Sequence, residues 1–157
     1  MDPALTIRVA TADDLPVLRL FQQGVVEAER PFDPTLKPGE LHYYDLAALL
    51  TEPQTQLLVA TDGARIVASG YARLLPAKPY LRHSRYAYLG FMYVEPAYRG
   101  RGLSGQLIEA LRQWAQTQGV TELRLEVYAA NEPALKAYEK FGFRPHMLEM
   151  RLGLAEN

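Results

Sequence analysis

Apolar and polar residues alternate from Leu5 to Val9, the signature of a short, half-buried strand. Thr11-Ala12-Asp13-Asp14 has the form of a capping box that opens a helix. Leu15, Leu18, Phe21 and Val25 follow at helical spacing, with Pro16 blurring the exact start. Glu29-Arg30-Pro31-Phe32-Asp33-Pro34 carries two prolines and no period, so a loop is expected there. A second helix is expected over 39–50. Strands over 56–61 and 65–74 are joined at Asp62-Gly63, a strong hairpin signal. Residues 76–84 read as a connecting loop, and 86–94 as a strand apolar on both faces and therefore central. Leu103, Leu107, Ala110, Leu111, Trp114 and Ala115 line one face of a long helix, which Gly119 ends as a left-handed cap. Residues 121–128 alternate as a strand, 131–141 form a helix that stops at Gly142, and 147–154 read as a final strand. The predicted order is β-α-α-β-β-β-α-β-α-β. That is an α/β fold class, three layers α/β/α around a central mixed sheet.

Composition narrows the chemistry. The 157 residues suit one domain, 1–157, because two cores of half that size would each be marginal. Hydrophobic residues at 48% and charged residues at 22% match an ordinary globular chain and exclude a disordered tail or a coiled coil. No apolar run is long enough for a transmembrane helix. Met1-Asp2-Pro3-Ala4-Leu5 has neither the basic flank nor the apolar core of a secretory leader. Cysteine is absent, which excludes disulfides, a Cys-ligated zinc and a Cys nucleophile. His42, His83 and His146 lack metal-ligand spacing. The expectation is a cytoplasmic, metal-free protein with no membrane association.

A net charge of −1 disfavours nucleic acid as a partner, but it hides a split. Residues 1–62 hold 10 acids and 4 bases, a net −6, and residues 63–157 hold 8 acids and 13 bases, a net +5. The bases of 73–101 (Arg73, Lys78, Arg82, Arg85, Arg99 and Arg101) face only Glu95 in that stretch. An ordinary solvated surface accounts for this. So does a polyanionic ligand near the basic segment, with the acidic half facing a cation.

The segment from Val94 to Gly105 joins the central strand to the long helix. Its glycines let backbone amides converge, and the helix start adds unpaired N–H groups and a positive dipole end. Together these suit a phosphate or pyrophosphate. Gly100, Gly102 and Gly105 satisfy the dinucleotide fingerprint G-x-G-x-x-G, with Glu126 near the place of the ribose-binding acid. In that motif, however, the glycines follow the strand directly. Here Glu95 to Arg99 intervene, and too little chain remains for a doubly wound sheet. A Walker-type loop fails because no Lys-Ser/Thr follows the glycines.

The same residues resemble the GNAT superfamily of N-acetyltransferases. Its acetyl-CoA motif, Q/R-x-x-G-x-G/A, maps onto Arg99-Gly100-Arg101-Gly102-Leu103-Ser104, with Ser104 in place of the usual Gly or Ala. Tyr93 to Tyr98 is similar to the family's V-x-P-x-Y approach. Asn131 to Phe143 is similar to its N-x-x-A-x-x-x-Y-x-x-x-G-F block. The resemblance implies a GNAT-like fold and acetyl-CoA as cosubstrate, without a metal. It implies a pyrophosphate cradle of Arg101, Gly102, Leu103, Ser104 and Gly105, beside Arg99 and Gly100. It also implies a fourth strand whose backbone near Phe91, Met92 and Val94 pairs with the pantetheine arm. Asn131 would bond the CoA arm, although helix capping alone explains it. Tyr138 would face the sulfur and protonate the leaving thiolate, although core packing also explains it.

The general base stays open among Glu126, Glu27, Glu29, His42 and His83, since Gly90 and Phe91 stand where many relatives carry a fourth-strand acid. Glu27, Glu29, Phe32, Asp33, Tyr43 and Tyr44 cluster in the first half, where acids with aromatics suit a cationic amine. The expected function is acetyl transfer from acetyl-CoA to a primary amine, on a small molecule or a peptide, by direct attack in a ternary complex. Two other classes remain: a non-catalytic acyl-CoA-sensing module and a nucleotide-binding oxidoreductase. Homodimerisation is left open.

Overall fold

The computed structural model describes residues 5–155. Residues 1–4, where no secretory leader is expected, lie outside the described residues. The chain divides into two compact units, Met1–Glu126 and Val127–Asn157.

The first unit is built on a five-stranded sheet of β1 (Leu5–Val9), β2 (Thr55–Asp62), β3 (Arg65–Pro76), β4 (Arg85–Val94) and β5 (Leu123–Arg124), in that spatial order. The first four strands pair antiparallel and β5 runs parallel to β4, so the sheet is mixed. An antiparallel meander of this kind is not a doubly wound parallel sheet, which removes the dinucleotide reading of the glycines.

Helix α1 (Leu15–Glu29) starts where Asp14 closes the capping box, with the Thr11 amide donating to Asp14 Oδ2 at 2.7 Å. Pro16 falls in the first turn, where its missing N–H costs nothing, so it does not displace the start. Leu18 and Phe21 of α1 pack with Leu46 and Leu49 of α2 (Leu46–Thr51) on one sheet face, against Leu57, Val59, Tyr71 and Phe91. Gly24 lets α1 approach β4, since a Cβ there would lie 2.7 Å from Tyr93 Cζ. The opposite face carries α3 (Leu103–Thr117), whose Leu107 and Leu111 are fully buried. Two helical layers therefore enclose the sheet, three layers in all, as the alternation of side chains along the strands requires.

The second unit contains α4 (Glu132–Phe141). Asn131 caps it by accepting from the Ala134 amide at 3.4 Å. Gly142, at φ 131°, ends it, and the Phe143 amide donates to Tyr138 O at 3.0 Å.

Three expectations need correction. The second helix does not run over 39–50 but begins at Leu46, where Asp45 caps it. The preceding stretch finds its partners on α1 instead. Gln23 donates to Leu41 O at 2.6 Å, and the Tyr44 amide donates to Gln22 Oε1 at 2.8 Å. The strand over 121–128 shrinks to the two residues of β5, because its ladder with β4 stops at Tyr88, just before β4 bends. The strand over 147–154 does not form. Among the described residues its own unit holds α4 and no strand, and an alternating pattern makes no ladder without a partner edge.

Candidate active site

The bend in β4 is a bulge. The register with β3 runs Ser69 to Tyr93 and then jumps to Tyr71 with Gly90, leaving Phe91 and Met92 opposite Gly70 alone. Phe91 adopts φ 56°, a left-handed conformation that costs a non-glycine residue about 1–2 kcal/mol. Two contacts hold it: the Ser69 hydroxyl donates to Phe91 O at 3.0 Å, and the Phe91 ring is 1% exposed in the core. The bulge brings the Phe91 amide towards the phenol oxygen of Tyr44. Past Tyr88, the β4 edge that faces β5 has no partner strand among the described residues. On that stretch the Phe91 carbonyl accepts from the Ser69 hydroxyl and the Val94 carbonyl from Arg99 Nε.

Beyond β4, the 3-10 turn Pro96–Tyr98 leads into the glycine loop. Gly100 and Gly102 adopt φ 77° and 75°, and Gly102 is the N-cap of α3. These angles explain why glycine stands at both places. A Cβ added at Gly100, Gly102 or Gly105 would meet nothing within 4 Å, so the loop surrounds open space. The first N–H groups of α3, on Leu103, Ser104 and Gly105, have no partner within the helix by geometry. Their donors, the positive end of the helix and the open space fit a diphosphate. Arg99 turns back, donating from Nε to Val94 O at 2.9 Å with its guanidinium 5.7 Å from the Tyr93 ring. Arg101 lies 5.1 Å from the ring of Tyr98.

A row of tyrosines runs past the bulge on the α1–α2 face. Tyr43 and Tyr44 meet edge-on with centroids 5.9 Å apart, Tyr44 and Tyr71 at 5.8 Å, and Tyr44 and Phe91 at 5.0 Å. Tyr88 donates to Glu126 Oε1 at 3.1 Å. Burial first, and then neighbouring negative charge, pushes the Tyr44 and Tyr88 phenols well above their ordinary value. Burial likewise raises Tyr71. All three hydroxyls stay protonated at neutral pH.

At the other end of the row, Glu29 faces Tyr43 and Asp33. Burial, and then Asp33, raises its carboxyl above the ordinary value. Of the expected acceptor residues, the structure thus brings Glu29, Tyr43, Tyr44 and Asp33 together. Glu27 points elsewhere, pairing with Arg30 at 2.8 Å, and Phe32 ends the 3-10 turn Arg30–Phe32 after α1.

The candidate bases separate in the same way. His42 is exposed on the stretch before α2. His83 lies 3.6 Å from Glu122 and 3.2 Å from Arg124, at the start of β5. Glu126 accepts from the Tyr88 hydroxyl. Asn131 and Tyr138 belong to the second unit. There, Asn131 is the cap of α4 and the Tyr138 ring meets Phe143 edge-on at 6.0 Å. Sequence reasoning missed Tyr71 and Tyr88. Both occupy the helix-facing register of β3 and β4, and only the strand pairing shows that they converge.

Comparison with known proteins gives the family and the fold. The sequence profile described as "Acetyltransferase (GNAT) family" matches residues 22–143. Glucosamine 6-phosphate N-acetyltransferase of Trypanosoma brucei brucei is 36% identical over 101 residues, 64% of this chain and 65% of that protein. The N-acetyltransferase YycN of Bacillus subtilis is 44% identical over 54 residues, 34% of each chain. In both cases the match spans less than two thirds of the relative's length. Among solved structures, a tetramutant of the BH1408 protein of Bacillus halodurans superposes with a TM-score of 0.85 at 25% identity, covering 95% of this chain and 99% of that one. A predicted acetyltransferase of Clostridium acetobutylicum, solved with acetyl-CoA, has a TM-score of 0.73 at 19% identity, covering 95% and 96%.

Proposed function

Because the chain belongs to the GNAT acetyltransferase family, whose cosubstrate is acetyl-CoA, we propose that it transfers an acetyl group from acetyl-CoA to a cationic primary amine. The observation that supports this reading is the run of chain from the β4 bulge at Phe91, past the end of the β4–β5 ladder, into the glycine loop at 99–105 with its two left-handed glycines and open space. The strand offers main-chain groups to an extended arm, and the loop offers amides to a diphosphate. When bound, acetyl-CoA supplies an acyl group already activated as a thioester.

The chain's own residues do the rest. The Phe91 amide, fixed by the bulge, donates to the acyl oxygen as negative charge develops there. Glu126, next to the protonated Tyr88, accepts the proton that the acceptor ammonium must lose before its neutral nitrogen attacks the thioester carbon. Tyr138 donates a proton to the departing sulfur. Glu29 and Asp33 attract the positive charge of the acceptor, and the faces of Tyr43 and Tyr44 complement it.

The test is mass spectrometry of amines incubated with acetyl-CoA and the protein. A product heavier by one acetyl group on a primary amine is expected. The Glu126→Gln variant is expected to lower kcat by about 10²-fold and to keep acetyl-CoA affinity. Unchanged kcat in that variant would remove Glu126 from the mechanism.

A further inference from the structure

The glycine loop is tethered to a distant part of the chain through one side chain. The Tyr98 hydroxyl donates to Asp62 Oδ2 at 2.6 Å. Asp62 is the last residue of β2 and pairs with Arg65 across the β2–β3 hairpin. The Arg65 guanidinium lies 5.8 Å from the Tyr98 ring and donates to Glu95 Oε2 at 2.7 Å. Arg101 stands over the same ring, and the Tyr98 amide donates to Glu95 O at 2.8 Å. Tyr98 is thus held by the hairpin at its hydroxyl and holds Arg101 at its ring.

Only Arg99 to Gly102 separate Tyr98 from α3. Two of those four residues are glycines in left-handed conformations, so the loop has little stiffness of its own. Its C-terminal end is fixed by α3. Its N-terminal end is fixed by the hairpin through Tyr98. The hairpin does not need this bond, because its own ladder closes it.

We propose that Tyr98 and Asp62 form a clamp that presets the 99–105 loop for the diphosphate of CoA, which makes both of them positioning residues. This rests on the reading of that loop as the diphosphate site. A loop released from the clamp must be ordered when the ligand binds, and the cost appears as lost affinity. A ligand without a diphosphate escapes that cost.

The experiment compares CoA with S-acetyl-pantetheine, which lacks the diphosphate, by calorimetry. Tyr98→Phe keeps the ring and its contact with Arg101 but loses the hydrogen bond, and Asp62→Ala removes the acceptor. Each is expected to weaken CoA about 3–10-fold, the range one hydrogen bond carries, and to leave S-acetyl-pantetheine unchanged. Asp62→Asn keeps an acceptor oxygen and is expected to restore most of the CoA affinity, which a purely structural carboxylate would not require. Parent-like CoA affinity in folded Tyr98→Phe and Asp62→Ala would overturn the clamp, as would an equal loss for both ligands. A parent protein that binds CoA no better than S-acetyl-pantetheine would overturn the diphosphate loop itself, and the clamp with it.

Discussion

Tyr71 closes over Gly90: a Cβ on Gly90 would lie 2.5 Å from Tyr71 Cζ. The phenol fills the place on β4 where a side chain would otherwise project towards the bulge. The absence of a fourth-strand acid is therefore a packing arrangement between two strands, with Tyr71 and Gly90 directly paired in the register. Gly90→Ala is expected to cost about 1–3 kcal/mol as an overpacking change. The penalty should vanish in a Tyr71→Ala background. Thermal or denaturant unfolding of the two single variants and the double variant measures this coupling, and strict additivity would contradict it.

Asp14 ties the start of α1 to the edge strand. It accepts from Arg8 at 2.7 and 2.9 Å and from the Thr11 amide, and it is 5% exposed. The Arg8 hydrogen bond holds its carboxyl below the ordinary value of 3.8. A carboxyl depressed in the folded state stabilises fully above that ordinary value, and the stabilisation is lost as pH falls through the lowered one. Asp14→Ala is expected to cost about 1–2 kcal/mol at pH 7, moderated because Arg8 remains partly in water. The gap between parent and variant should close below about pH 4, as urea unfolding across pH would register.

Gly102 carries the loop geometry. Gly102→Val would place a branched side chain in the open space and impose a left-handed angle on it. Acetyl-CoA affinity is expected to fall at least about tenfold. The melting temperature reports the strain separately. Unchanged affinity by calorimetry in a folded variant would contradict the cradle.

How far the sequence revealed this site depends on what each residue had to do. Gly100 and Gly102 were legible because positive φ leaves few alternatives to glycine, and Asn131 and Gly119 because helix ends have strong residue preferences. Phe91 was not legible. It adopts the same left-handed conformation without being glycine, held there by Ser69 and by core packing from across the sheet. The failure at 39–45 has a similar cause: Gln22 and Gln23 satisfy that backbone from α1, and no local pattern announces it. Glu126, Tyr88 and Tyr71 lie on three strands or their extensions, so their convergence depends on register. The final strand failed for the opposite reason, since its pattern was present and no partner edge lies among the described residues of its unit.

Tyr138→Phe separates proton donation from packing. The ring is kept, so its contact with Phe143 and the melting temperature should survive. If the phenol protonates the sulfur, kcat should drop by about 10²-fold with acetyl-CoA affinity unchanged. Full kcat with a good acceptor would make the residue structural.

Acetyl transfer at the bulge must release the CoA thiol in step with an amine acceptor, and that acceptor-dependent release is the decisive measurement. With the parent protein, acetyl-CoA and a panel of cationic primary amines, thiol should appear only when an amine is present. The rate should saturate in both substrates. Acetyl-CoA binding with no amine-dependent thiol release from any member of the panel would contradict the account and leave a sensing module in its place.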